Sequence, residues 1–283
     1  MTFCDIRHEA GAEADALVAR IAGIAEQVVP VLEEVTDLPV GPGAVIRILT
    51  PDAWAVAQAM HLARGTQRDI TDLDLTPEQI EQCRNRARAT AEEARLVWPL
   101  VMGSTVEAMD GTPHVLLVPE ALGHCGVEEP ELFKVIAHEL NRIAQHRAGD
   151  GAAFLAQSTA FPALRGLKGV MAPYFLSGHS RWADLKVTTR LLGREVNEDT
   201  GWQSETYRHL KQQQVREHYS GPQAKAAAPG PARAAYVDGA QWIRTVVNRV
   251  GTGAVNRAWK DTTLMPTWAE TADPDAWIAR VAS

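Results

Sequence analysis

The sequence lacks several features that would assign it to a large functional class. No apolar run approaches the roughly 18 residues that a membrane-spanning helix needs, and the first residues have no apolar core typical of a signal peptide. The three cysteines, Cys4, Cys83 and Cys125, are far apart and form no CxxC pair, which predicts reduced thiols and a cytoplasmic location. Lysine is scarce and the net charge is −7, so we expect neither nucleic acid nor a membrane surface as a partner.

The composition is that of a folded globular protein. With 283 residues, of which 46% are hydrophobic, the chain can bury the core of one large domain or two small ones. Helical periodicity and capping residues predict helices over 12–34 (bent or ended by Pro30), 51–65, 77–97, 130–147, 151–163, 173–193, 203–219 and 234–260. Short β-branched runs predict strands at 45–49, 105–109 and 114–118, and the last two flank a hairpin turn at Asp110-Gly111.

This order predicts an α+β, mostly α fold with a small N-terminal sheet. We expect an N-terminal α/β part over 1–128 and a helical part over 129–283 that begins with the helix at 130–147, with one cleft between the two parts. The segment 221–233 is rich in alanine, glycine and proline, which predicts a mobile loop.

The helix predicted at 130–147 carries the most informative motif, His138-Glu139-x-x-Arg142. In a His-Glu-x-x-His helix, two histidines four residues apart share one face and bind zinc, and the glutamate polarises the metal-bound water. Here Arg142 occupies the place of the second histidine, and a permanent cation cannot ligate a metal ion. His146 lies about 80° away from His138 around the helix, so it is a poor substitute ligand.

A plain amphipathic helix is the alternative interpretation of this segment. On a helical wheel one apolar stripe is formed by Leu132, Phe133, Ile136, Leu140 and Ile143. His138, Arg142 and Gln145 lie together on the opposite side. The His-Glu pair could then belong to a solvated face by chance.

Further residues extend the similarity beyond this helix. The segment 174–184 contains Leu176-Ser177-Gly178-His179, and the C-terminal tail contains Pro266-Thr267, Glu270, Pro274, Trp277 and Arg280-Val281. Over roughly 130–283 the chain resembles an actinobacterial family of zincin-like proteins, described as zinc-dependent metalloproteases or as associated with deazaflavin-cofactor biosynthesis. That family has a His-Glu-x-x-His helix, a Leu-Glu-Gly-(His/Tyr) segment that supplies a carboxylate ligand, and a Pro-Thr-x-x-Glu, Pro, Trp, Arg-Val tail. The resemblance implies a zincin-like fold, in which the tail serves packing.

The positions at which this chain departs from the family pattern are informative. His138 and Glu139 match the family pattern, but Arg142 replaces the second histidine and Ser177 replaces the glutamate ligand. Arg181 stands where the family often has aspartate, so two cations are expected to face the former metal cleft. His179 and Asp184 could in principle rebuild a site around His138, but the charge of Arg142 would repel a metal ion. We therefore expect no metal and no cofactor.

The preferred hypothesis is a degenerate zincin that works as a metal-independent biosynthetic enzyme, in a pathway for a natural product. Arg142 and Arg181, together with Ser177, His179 and Asp184, would bind a small anionic substrate through a carboxylate, phosphate or sulfate group. Glu139 would take a proton, with His138 orienting it or acting in its place, in an elimination or an intramolecular substitution.

Three alternatives stay open at this stage. The chain could be an inactive interaction module, a zinc peptidase with displaced ligands, or a filled site in which both arginines only pair with Glu139 and Asp184. A partner subunit could complete the site. An acidic carrier protein could contact a basic segment over 208–218, although a solvated helix face is the simpler interpretation of that segment.

Overall fold

The computed structural model describes residues 3–197, 202–220 and 234–282, and it confirms the α+β fold. Four strands form one N-terminal sheet in the order β1-β2-β4-β3: β1 (Cys4–His8), β2 (Ala44–Ile48), β3 (Ser104–Glu107) and β4 (Pro113–Leu117). The first three neighbours in this order pair in parallel, and β3 pairs antiparallel with β4 across the predicted hairpin. The edge strand β1 was not predicted, because only two of its five residues are even partly buried and no clear alternation results.

Helices form most of the remaining chain. In chain order they are α1 (Asp15–Thr36), α2 (Pro51–Asp72), α3 (Pro77–Val97), α4 (Pro119–Cys125), α5 (Glu129–Ala148), α6 (Ala152–Ser158), α7 (Ala172–Leu192), α8 (Glu205–Ser220), α9 (Gly239–Val250), α10 (Thr252–Lys260), α11 (Trp268–Ala272) and α12 (Pro274–Ala282). A short π-helical segment, Ala234–Asp238, leads into α9.

Pro30 was expected to bend or end a helix and Gly65 to end one, but neither residue ends its helix, and tertiary contacts explain both. Helix α1 continues through Pro30 to Thr36, because Val28, Val29 and Leu32 are fully buried and packing offsets the missing hydrogen bond. Helix α2 continues through Gly65, where a Cβ atom would lie 3.4 Å from Ser158 Oγ of α6. The start of α3 was predicted correctly, since Thr76 and Gln79 form a complete capping box.

Helix α5 lies at the centre of the molecule and packs against α1, α7 and β4. Its predicted apolar stripe is buried, but Gln145 on the opposite side is also fully buried, and His138 is only 17% exposed. The amphipathic interpretation with a solvated face is therefore wrong, because α7 covers the polar side. One continuous core cluster joins Ile46 and Val115 of the sheet to Phe175 and Trp259 of the helical part. The division at 128/129 stays a prediction.

The glycine of the Leu-Ser-Gly-His segment has a packing role. A Cβ atom on Gly178 would come within 2.4 Å of the carbonyl carbon of Gly239, and one on Gly239 would come within 2.7 Å of the carbonyl oxygen of Tyr174. Because neither position tolerates a side chain, α7 and the start of α9 approach each other backbone to backbone.

The C-terminal tail is held by one carboxylate. Glu270 accepts hydrogen bonds from the amide and hydroxyl of Thr267 and from the guanidinium of Arg280, and its carbonyl accepts from the indole of Trp242. Trp242 and Trp277 pack edge to face at 5.1 Å between ring centroids. These contacts are structural, which is the role implied by the resemblance.

Some expectations concern residues outside the described part of the chain. The predicted loop 221–233 lies there, as do the side chains of Arg216 and His218. Cys4, Cys83 and Cys125 form no disulfide. Within the described ranges, no helix combines the length and apolar character needed to cross a membrane.

Candidate functional site

The first group of predicted site residues lies where α5 crosses α7. His138 Nδ1 is 3.1 Å from Asp184 Oδ2, and Arg181 Nη1 donates to Asp184 Oδ1 at 2.7 Å. The same nitrogen of Arg181 also donates to the carbonyl of Val196 at 3.1 Å. The ring of Tyr236 lies 5.5 Å from the ring of His138 and 5.3 Å from Arg181 Cζ. Arg181 therefore makes an internal ion pair.

The side chains of this group do not provide the ligands that a zinc ion needs. Both oxygens of Asp184 are engaged, one by the guanidinium of Arg181, and Asp184 is fully buried. Within the described part of the chain, no three His, Cys, Asp or Glu side chains are close enough to hold a metal ion. With arginine at positions 142 and 181, the donor set is too small and the local charge is unfavourable, so the residues do not fit zinc.

Glu139 faces a different direction from His138. Thr105 Oγ1 donates to Glu139 Oε2 at 2.6 Å, which ties α5 to β3. Gly103 makes room for the side chain of Glu139, since a Cβ atom there would lie 3.0 Å from Glu139 Cγ. Glu139 is 7% exposed, and the hydroxyl of Thr105 is a hydrogen-bond donor to its buried carboxylate.

Arg142 is held by neutral groups. Its Nη2 donates to Gln157 Oε1 at 2.5 Å, its Nη1 lies 3.4 Å from Gln145 Oε1, and its Cζ stacks 4.8 Å from the ring centroid of Phe154. Burial lowers the pKa of Arg142 to about 10, against the opposing charge of Glu139, so the side chain is cationic at neutral pH. Among the described residues Arg142 forms no ion pair, in contrast to Arg181.

Arg142 lines a cavity of about 300 Å³ between α2, α3, α5 and α6. The wall of the cavity includes Thr105 and Arg142 together with Gln58, His61, Leu62, Gly65, Thr66, Asp69, Cys83, Arg86, Ala87, Thr90, Phe154, Gln157, Ser158 and Ala160. A second cavity of about 320 Å³ between α9, α10 and α12 is lined mainly by apolar residues, and its single charged side chain, Arg257, donates to the carbonyl of Val281. The first cavity is the one with convergent polar groups, which is typical of a ligand site.

His61 lines this cavity, and a backbone contact fixes its neutral tautomer. Its Nδ1 accepts from the backbone amide of Glu107 at 3.1 Å, so in the neutral ring Nε2 carries the proton. Burial lowers the pKa of His61, and the charges of Arg142 and His146 lower it further although Glu107 opposes them. The carboxylate of Glu107 is bound by His146 at 2.9 Å and by Arg68 at 3.2 Å. These contacts hold in place the residue whose amide donates to His61.

The remaining predicted residues lie apart from this cavity. His179 is fully buried, and its Nδ1 is 3.0 Å from Asn141 Nδ2 and 3.1 Å from Gln145 Nε2. Desolvation lowers the pKa of His179 to about 3. Ser177 lies partly buried on α7, one turn before Arg181, and lines neither cavity.

The structure thus divides the predicted residues into three places. His138, Asp184 and Arg181 form one group. Arg142 lines the cavity, and Glu139 contacts its wall through Thr105. His179 belongs to a buried amide network, and Ser177 lies in neither cavity. Their functional roles stay predictions. The sequence analysis missed the cavity residues Thr105, His61 and Gln157, which come from three separate elements. Only the helical spacing of Gln58, His61, Gly65 and Asp69 along one face of α2 could have indicated part of this wall.

Comparisons with known proteins agree with the fold. A family described as zincin-like metallopeptidase matches residues 232–278, which supports a relationship to zincin-like proteins. A solved structure from Chloroflexus aurantiacus, described as a candidate hydrolase with a novel fold, is similar to this chain with a TM-score of 0.52 and 11% sequence identity over 96% of this chain and 92% of that one. At this identity the similarity concerns the fold alone. No curated protein matches the chain.

Proposed function

We propose that this chain is a zincin-like protein that works without zinc, as an enzyme that holds a small anionic substrate at Arg142. One observation carries the proposal: the guanidinium of Arg142 lines a cavity of about 300 Å³ and, in the described part of the chain, has only neutral hydrogen-bond partners. A guanidinium has five N–H donors, and those not used by Gln157 and Gln145 are available to a carboxylate, phosphate or sulfate.

The chemistry we propose is an elimination or an intramolecular substitution in the biosynthesis of a natural product. Glu139 takes a proton from the substrate, either directly or through the hydroxyl of Thr105, which joins it to the cavity wall at 2.6 Å. The electron pair released by that proton forms the new bond, and a sulfate or phosphate ester held by Arg142 departs as the free anion with the electrons of the broken C–O bond. Arg142 stabilises the charge that develops on the leaving group in a site of low dielectric constant.

Arg181 and Asp184 have a positioning role in this proposal. Their buried ion pair fixes the carboxylate that contacts Nδ1 of His138, and this fixes the orientation of the His138 ring. Of the two arginines expected to bind the anion, Arg142 is therefore the one we assign to the substrate.

A second candidate function is a non-catalytic interaction module. The observation that favours it is the group of His138, Asp184, Arg181 and Tyr236, which fills the place where the resemblance puts the metal. A zinc peptidase with displaced ligands is disfavoured by the same group and by Arg142.

Calorimetric titration of the purified protein with acetate, phosphate and sulfate tests the proposal. We expect one of these anions to bind, and Arg142→Ala to weaken its binding at least tenfold. Arg88→Ala is the matched control, because Arg88 is an exposed arginine on α3 that pairs with Glu81 and does not line the cavity. Equal anion binding by all three proteins would overturn the proposal and favour the interaction module.

The role of Glu139 needs a separate variant. Glu139→Gln keeps the size of the side chain but removes the base, so anion binding should be retained. In a host that depends on this protein for a metabolite, the same variant should abolish formation of that metabolite. Unchanged metabolite formation would exclude Glu139 as the base.

A further inference from the structure

The cavity at Arg142 contains a second cation, Arg86, which comes from α3. Within the described ranges neither arginine forms an ion pair. The third charged side chain of the wall is Asp69, and the guanidinium of Arg165, which does not line the cavity, already compensates it at 2.9 Å. The cavity therefore offers two positive charges to a ligand.

The two cations act on different stretches of the wall. Burial lowers the pKa of His61, and the charge of Arg142 lowers it further. Burial first and the charge of Asp69 second raise the pKa of the Cys83 thiol, whereas the charge of Arg86 opposes both. His61 and Asp69 are eight positions apart on α2, which is about 12 Å along the helix axis. Arg142 and Arg86 therefore lie near different ends of the cavity.

The surroundings of the two arginines also differ. Arg142 is partly buried and stacks on the ring of Phe154. Arg86 is exposed, and the helix that carries it has only two buried side chains and packs mainly against α2. Because α3 forms the outer wall of the cavity, Arg86 lies at its rim, where a ligand enters from solvent.

Arg86 is not engaged by its own helix. The residues one turn before and after it on α3 are uncharged. They are Gln82, Cys83, Ala89 and Thr90. Arg88 on the same helix is different, since it pairs with Glu81 at 3.2 Å. The guanidinium of Arg86 can therefore bind an anion without the loss of an existing ion pair.

The proposed reaction gives the two cations different tasks. The group at Arg142 departs as a free anion, so it is a sulfate or phosphate ester. A carboxylate that is bonded to the carbon chain stays in the product and needs a separate cation. The net charge of the whole chain is −7, so anions are repelled elsewhere on the molecule and two positive charges make the cavity selective for them.

We infer that the substrate carries two anionic groups, a sulfate or phosphate ester held by Arg142 and a carboxylate that binds Arg86 at the rim and stays in the product. This inference rests on the proposed function, because it extends substrate recognition within the same cavity. Arg86 determines specificity and takes no part in the bond that breaks. With a volume of about 300 Å³ the cavity is at the lower limit for ligand sites, so the substrate is a small molecule.

Calorimetry with matched pairs of esters tests this inference. One member of each pair is an alkyl sulfate or alkyl phosphate with two, four or six carbons. The other member is the same ester with a carboxylate at the far end of the alkyl chain. At one or more chain lengths, the ester with the carboxylate should bind at least tenfold tighter than its partner, because it contacts both cations. No advantage at any length would overturn the inference.

Substitution of each arginine separates this inference from the proposed function. Arg86→Ala should remove the advantage of the carboxylate and leave the affinity for the simple esters unchanged. Arg84→Ala is the matched control, because Arg84 is an exposed arginine on α3 that does not line the cavity. If Arg86→Ala leaves the advantage intact, the inference fails while the proposed function stands. If Arg142→Ala does not weaken the binding of the simple esters, the proposed function fails.

Reversal of the charge at position 86 tests the role of Arg86 independently. Arg86→Glu should bind an ester with a terminal ammonium group at least tenfold tighter than the same ester with a terminal carboxylate, which is the opposite of the preference of the unchanged protein. Since Arg86 is exposed, this substitution leaves the core intact. Arg84→Glu, the matched control, should keep the preference for the carboxylate. The same preference in Arg86→Glu would overturn the assignment of the carboxylate to Arg86.

Discussion

Arg181 donates a hydrogen bond of 2.7 Å to Asp184 three residues further along α7, and both side chains are buried. The second oxygen of Asp184 lies 3.1 Å from Nδ1 of His138 on α5. One carboxylate therefore connects the two central helices. Its loss would leave the cation of Arg181 in a place that water does not reach.

Asp184→Asn should lower the free energy of unfolding by about 3–5 kcal/mol, because it leaves a buried charge without its partner. Urea unfolding followed by circular dichroism measures this effect. Glu81→Gln is the control, since Glu81 pairs with Arg88 on the surface, where such pairs contribute about 0–1 kcal/mol. Similar losses in the two variants would contradict a specific role for the buried pair.

His179 should make stability depend on pH. In the folded protein desolvation lowers the pKa of His179 to about 3, whereas in the unfolded chain its pKa is about 6.5. Between these values the unfolded chain binds the additional proton, so stability falls as the pH falls, by about 1.4 kcal/mol per pH unit. Above about pH 6.5 this contribution does not change with pH.

The measurement compares the unchanged protein with His179→Gln by urea unfolding at pH 7.5, 6.0 and 5.0. The free energy of unfolding of the unchanged protein should fall relative to that of the variant as the pH falls, because the two proteins share all other titrating groups. A difference that stays constant over this range would show that His179 takes up its proton in the folded state.

Gly178→Ala should destabilise the protein by about 1–3 kcal/mol, because its Cβ would overlap the backbone of Gly239. Gly23→Ala is the opposite case, since Gly23 lies exposed inside α1 with no atom within 4 Å of a Cβ. That control should gain about 0.5–1 kcal/mol from helix propensity. Thermal unfolding of both variants checks these two predictions. A stabilising effect of Gly178→Ala would rule out the close approach of α7 to the backbone of Gly239.

Zinc analysis by mass spectrometry should find well below one zinc per chain in protein purified without added metal. The double variant Arg142→His with Ser177→Glu restores the ligand pattern of the family that the sequence resembles. It should take up more zinc than the unchanged chain, because His138 is already oriented through Nδ1 by Asp184. Stoichiometric zinc in the unchanged protein would contradict the metal-independent proposal.

Local sequence patterns determined much of the fold. The Thr76 capping box, the Asp110-Gly111 hairpin and the periodicity of α5 depend on neighbours in the chain, so they could be predicted from residues a few positions apart. The α+β class followed from the order of these elements. The ends at Pro30 and Gly65 could not be predicted, because buried contacts with distant residues outweigh the local signal at both positions.

The sequence alone also identified the chemical anomaly, a cation where a zinc ligand is expected, because residue types at fixed helical spacing decide that question. It could not distinguish Arg142 from Arg181. Only the tertiary structure did so. It pairs Arg181 with Asp184, whereas Arg142 lines a cavity and has neutral hydrogen-bond partners. The cavity wall beside Arg142 comes from distant segments, here β3, α2 and α6, and the approach of these segments depends on how the whole core packs.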